Sequence, residues 1–177
     1  MQYPQFIELY QQGKLSVTVN RSMARKFYTH IPASLIRKET GESLYFEKIT
    51  VWLIYLISPV ALLASLVLGF MAFGYWGVIS LFFCLFIYGL FASASMRAQS
   101  RLLDISSFFL VTVAIHIYSG ADHYEVTKFA CLFIFSLWSI RFAYWLSGWF
   151  LKIFVLRNEK AYAYLSKYLI INRLDTV

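Results

Sequence analysis

From Ile49 to Met96 the chain carries no Asp, Glu, Lys, Arg or His. An uncharged apolar stretch of that length is too long for the core helix of a soluble domain. It matches two helices that cross a bilayer and are joined by a tight turn. Gly74-Tyr75-Trp76-Gly77 supplies the turn, dividing the run into a first span over about Ile49–Phe73 and a second over about Val78–Ser95. A third, short span is read over about Leu103–Ser119. A fourth, over about Val126–Lys152, is longer than a bilayer requires and is expected to tilt or project. Composition agrees: 60% of residues are hydrophobic and 14% charged, where a soluble domain carries about a quarter charged residues. Aromatic residues gather near the ends of the apolar runs, where a membrane–water interface favours them.

The basic residues then set an expected orientation. The segment 1–48 holds Lys14, Arg21, Arg25, Lys26, Arg37, Lys38 and Lys48, and the loop after the second span holds Arg97 and Arg101. The tail adds Lys152, Arg157, Lys160, Lys167 and Arg173. On the opposite side the first hairpin has no basic residue and the next loop has only Lys128. Fourteen against one places both termini in the cytoplasm, in a bilayer read as a bacterial inner membrane. Met1 to Gln12 lacks the basic start and apolar stretch of a cleavable signal, so the first span is expected to act as the membrane signal and stay in place.

The expected fold is therefore an all-α membrane protein with four transmembrane helices, N-in and C-in, plus a small cytoplasmic α/β-like subdomain built from both ends. Its parts are an amphipathic segment over 1–48, a transmembrane domain over 49–152, and a helix and tail over 153–177. At the N-terminus, Pro4 suits the first turn of a helix with Phe6, Ile7, Leu9 and Tyr10 on its apolar side, and Gly13 can end it. Leu15–Val19 alternates as a strand would. Asn20 is an N-cap for a helix with Met23, Ala24, Phe27, Tyr28 and Ile31 on one face and Arg21, Arg25 and Lys26 largely on the other. Residues from Arg157 to Tyr168 read as a helical continuation of the last span. Leu169–Leu174 reads either as a strand that pairs with Leu15–Val19, supported by packing because a ribbon alone is marginal, or, like Leu15–Val19, as a frayed, independent segment.

Helix association in lipid depends on small and polar residues. Two ladders have four-residue spacing: Ala61, Ser65 and Gly69, with Ser58 just before them, and Ser139, Ala143 and Ser147. They serve either packing within one chain or self-association. Pro59 is expected to kink or loosen the first span, with Ser58 partly satisfying the freed carbonyl. Cys84 and Cys131 lie in different apolar runs and read as packing residues rather than a disulfide.

Arg141 is the most demanding residue, since a charge at mid-bilayer costs roughly 2.5–3.5 kcal/mol on insertion scales. An ion pair with Asp104, snorkelling to headgroups, or a pore- or ligand-facing role would each answer that cost. His116, Asp122, His123 and Glu125 gather near the outer ends of the last two spans and could bind a metal or sense pH. No strong ligand spacing accompanies them, so the reading is no metal and no cofactor. Arg21, Arg25 and Lys26 are candidates for lipid or partner contact, against the plainer reading that they only fix topology. No nucleic-acid motif accompanies the charge.

Catalytic motifs are missing from the sequence, which argues for a non-enzymatic protein. The expected function is a homo-oligomeric, pore-like or membrane-perturbing component of a multi-protein system. The alternatives are a membrane anchor or scaffold that recruits a soluble cytoplasmic partner, and a diverged membrane-embedded enzyme or transporter subunit.

Overall fold

The computed structural model describes residues 2–92, 107, 110–114, 118, 124–166 and 169–173. The described chain is mostly helical with one two-stranded ribbon, and it divides into two compact units. One joins both ends, Met1–Trp52 with Tyr144–Val177, and the other holds Leu53–Ala143.

The terminal unit starts with α1 (Tyr3–Gln11), which has Pro4 in its first turn. Its end is a Schellman turn, in which the Lys14 N–H bonds the Leu9 carbonyl and the Gly13 N–H bonds that of Tyr10. Gly13 sits at φ +70°, a left-handed conformation that a Cβ would strain, so the sequence needs glycine there. β1 (Leu15–Val19) follows and pairs antiparallel with β2 (Leu169–Arg173), with Leu15 opposite Arg173 and Val19 opposite Leu169. Leu15 and Val17 point into the core and Thr18 outward, as a two-residue period dictates. Asn20 caps α2 (Arg21–His30) by accepting the Met23 N–H at 3.2 Å. α3 (Ala33–Thr40) ends at Gly41, and α4 (Tyr45–Phe73) then begins.

The last long helix, α6 (Tyr124–Arg157), returns to this unit. The expected continuation from Arg157 toward Tyr168 does not occur as one helix. Asn158 leaves the helical region at φ −136° and caps a separate helix, α7 (Glu159–Leu165), by accepting the Ala161 N–H at 2.9 Å. A short amide side chain that can bond nearby backbone competes with helix propagation, and here it wins. Tyr168 and Leu174 lie outside the described residues. Beneath the ribbon, Phe6, Leu15, Val17, Phe27, Tyr28, Ile36, Leu151, Phe154, Tyr162 and Leu165 form one core. The Phe6 and Tyr162 rings lie 4.6 Å apart, and the Tyr3 hydroxyl donates to the Leu156 carbonyl at 2.9 Å. Met23, expected on the buried face of α2, is exposed.

The second unit contains the rest of α4, a 3-10 turn at Gly74–Trp76, α5 (Gly77–Ala92) and the first part of α6. α5 folds back along α4. The Tyr88 hydroxyl meets Ser58 Oγ at 3.0 Å, and Ser58 gives its own proton to the Ser136 carbonyl at 2.7 Å. Ser58 thus ties three helices together rather than satisfying the carbonyl freed by Pro59, and α4 runs unbroken through that proline. Serines 58, 65, 136 and 139 are buried, whereas Val60, Leu63, Val67, Phe82, Phe83 and Phe86 face outward. Polar-in and apolar-out reverses the water-soluble pattern and suits an apolar solvent.

Two described stretches are long and apolar enough to cross a membrane, Tyr45–Ala92, which contains the hairpin, and Tyr124–Arg157. Most of the expected third span lies outside the described residues; those it does contain, 107, 110–114 and 118, are helical. Cys84 and Cys131 are free thiols.

At the hairpin, α4 and α5 touch backbone to backbone. A Cβ on Gly77 would lie 2.9 Å from the Phe70 Cα, which cannot move without shifting the helix. Gly89, further along α5, has open space where its Cβ would stand. Gly77→Ala should therefore destabilise the protein by about 1–3 kcal/mol in thermal melts in detergent. Gly89→Ala should leave the midpoint within error or raise it. Equal tolerance of both would contradict the close approach.

Candidate functional site

Where α6 ends, its last charged residue meets the corner between α3 and α4. Arg157 Nη2 lies 2.9 Å from Glu42 Oε2 and 3.8 Å from Glu47 Oε1. Asn158 Nδ2 donates to the second Glu42 oxygen at 2.7 Å and to the Thr40 carbonyl at 3.2 Å, while its Oδ1 caps α7. Thr40 is itself buried, with its hydroxyl donating to the Ile36 carbonyl. Arg157 and Glu42 are each more than a third exposed, so their ion pair contributes at most about 1 kcal/mol. Asn158 matters more, because one side chain ends α6, starts α7 and fixes the turn after α3.

Tyr28 stands in the same neighbourhood, fully buried, and its hydroxyl has no hydrogen-bond partner among the described residues. Burial, and then the Glu47 carboxylate, raise its phenol well above the ordinary value, while Arg157 acts in the opposite sense. Lys48 donates to the Ile31 carbonyl just beyond the end of α2, and burial lowers its ammonium below the usual lysine range. A residue counted as a topology signal is thus also a helix-end cap.

The expected lipid- or partner-contact residues separate. The Arg21 stem runs beside Gly148 of α6, and the Arg25 guanidinium stacks 5.1 Å over the Tyr144 ring. Of the three, Lys26 is the exposed one. Among the small-residue positions, Ala61, Ser65, Gly69, Ser139 and Ala143 are buried within the second unit, and Ser147 is buried within the terminal unit.

Arg141 is 4% exposed, with its guanidinium 5.5 Å from the centre of the Phe91 ring. That distance permits a cation–π attraction, which strengthens when water is excluded. Asp104, its expected ion-pair partner, and His116 lie outside the described residues, as do Asp122 and His123. Glu125 of the same outer group sits 3.5 Å from Lys128, one helical turn on.

The junction of Glu42, Arg157 and Asn158 has no counterpart in the sequence reading. Its members stand more than a hundred positions apart, so no local spacing reveals them. The one available signal is that Glu39, Glu42 and Glu47 cluster just before the uncharged run in a segment that is otherwise mostly basic. Comparison with protein-family models, curated proteins and solved structures gives no match, so no relative lends the chain a fold name or an activity.

Two outcomes follow for the terminal unit. Asn158→Ala should cost about 1–2 kcal/mol, as loss of an N-cap does, and more than Arg157→Ala in the same melts. The Tyr28 proton is held more tightly in the folded than in the unfolded chain. Its contribution is complete below the unfolded value of 10.0 and is lost as pH rises above it. Melts from pH 9 to 11 should show wild type losing up to about 1.4 kcal/mol per pH unit relative to Tyr28→Phe. Parallel pH profiles would refute that assignment.

Proposed function

We propose that this chain is a non-enzymatic integral membrane protein whose terminal unit lies in the cytoplasm and recruits a soluble partner there. One observation supports this over a self-assembled pore: every position of the two small-residue ladders is buried within a single chain. A pore built through those faces would need them at the protein surface. The terminal unit, by contrast, has an aromatic core under a two-stranded ribbon and exposed charges on α1 to α3, as a water-facing domain does.

Exposed aromatics favour membrane residence. Tyr45, Phe46 and Trp52 at the start of α4 and Trp145 and Trp149 on α6 all lie in the terminal unit, where the two long helices enter it. Tyr and Trp prefer the zone between headgroups and acyl chains. The inside-out surface of the second unit suits lipid on its flanks. Four spans with both ends inside is the arrangement that the basic residues favour. Self-association remains compatible with the outer faces, and buried Arg141 is the observation that favours the pore as a second reading.

Mass measurement in nanodiscs separates the two. A monomer is expected, with ion-impermeable liposomes for both wild type and Arg141→Ala. A defined oligomer whose conductance falls in Arg141→Ala would overturn the recruitment reading. Photo-crosslinking from position 26 in cells should yield a discrete adduct with a soluble protein, and lipid adducts alone would count against a partner. A tag at Val177 should resist protease added from the periplasmic side of spheroplasts; its cleavage would reject the orientation.

A further inference from the structure

We infer that the surface groove running along α3, from Ala33 and Ser34 in its first turn to Arg37 and Lys38 in its last and on to Ser43, is a phosphate-binding site, filled by the headgroup of an anionic phospholipid. This rests on the membrane reading above for the source of the phosphate, and on the groove itself for the chemistry. The groove is open to the surface, offers about 550 Å³ and is lined by Ala33, Ser34, Arg37, Lys38 and Ser43. Ser34, Arg37 and Lys38 stand three and four positions apart, so α3 presents a hydroxyl and two cations on one face. Ser43 brings a second hydroxyl from the segment before α4. An arginine fork, a lysine point charge and hydroxyl donors are the set that a phosphate's oxygens accept.

Three further observations point the same way. Neither Arg37 nor Lys38 has an ion-pair partner among the described residues. Glu42, close in sequence, is drawn to Arg157 and Asn158, which leaves the groove its positive charge. Glu39 is exposed on the same helix but does not line the groove. The N-cap of α3 is Pro32, which offers no capping side chain. The N–H groups of Leu35 and Ile36 turn back to the Pro32 carbonyl, so those of the two lining residues Ala33 and Ser34 are the first-turn donors that remain.

Position supplies the choice of ligand source. Ile49, where the uncharged run begins, lies four residues into α4, about 6 Å along its axis. Tyr45 and Phe46, between the groove and that boundary, are 65% and 76% exposed. The headgroup layer is roughly 5–8 Å thick on each side of the hydrocarbon. Ser43, two residues before α4, is thus within reach of that layer, and the groove joins it to Arg37 and Lys38.

The test uses the full chain in detergent. Native mass spectrometry would count phosphatidylglycerol or phosphatidylcholine retained per chain, and calorimetry would titrate inorganic phosphate. The variants are Arg37→Gln with Lys38→Gln, and Lys14→Gln, at an exposed lysine away from the groove, as a basic control, each checked for an unchanged melt. Wild type should retain phosphatidylglycerol over phosphatidylcholine, and the double variant should weaken that retention roughly tenfold or more. Lys14→Gln should leave it unchanged. Phosphate binding that depends on Arg37 and Lys38, without lipid preference, would keep the site and reject the headgroup as its source. Equal loss in the control, or no loss in the double variant, would overturn the site. The phosphate arm stays informative whichever way the tag at Val177 faces, so failure of the groove and failure of the membrane reading can be told apart.

Discussion

A two-stranded ribbon in water is marginal, so the pairing of Leu15–Val19 with Leu169–Arg173 has to draw its stability from what lies beneath it. Here that support is aromatic. Phe6 and Tyr162 come from opposite ends of the chain and stack at 4.6 Å, and Leu15 and Val17 press onto the same core. Neither terminal segment carries enough apolar surface to fold alone. Each completes the other, and the polar junction around Asn158 fixes how α7 leaves α6 so that Tyr162 arrives under the strand.

The second unit obeys a different rule. Val, Leu and Phe are prominent on its described surface, and serine, alanine and glycine are buried beside Leu62, Leu137 and Ile140. Close backbone approach gives dispersion contacts and short hydrogen bonds where hydrophobic burial gives little. Ser58 illustrates this: one hydroxyl joins α4 to both α5 and α6. Bulk at Gly77 would part the first two of these helices before any apolar contact could compensate.

Local signals carried much of this fold into the sequence. Gly13 and Asn20 mark helix boundaries because their conformations and side chains act within four residues, and the alternation in Leu15–Val19 marks a strand for the same reason. The junction of Glu42 with Arg157 and Asn158 was not legible, because it joins positions that only the tertiary fold brings together. The break at Asn158 was missed because the apolar pattern on either side continues at helical spacing. Arg21 and Arg25 read as a free basic face, yet long side chains can lay their stems across a neighbouring helix, as these do beside Gly148 and Tyr144. The Arg37–Lys38 groove carries no mark in the sequence because, in a segment rich in basic residues, two more cations have no local distinction.

The register of the ribbon also sets a schedule for biosynthesis. Leu15 pairs with Arg173, so β1 has no partner until Leu169–Arg173 has been made. At about 5–20 residues per second that delay is on the order of ten to thirty seconds. Throughout it, α1 and α2 leave the ribosome with Phe6, Phe27 and Tyr28 uncovered, whereas α4 and α5 can already zip together through neighbouring sequence. Until then that nascent segment lacks the half of the core that covers these aromatic side chains.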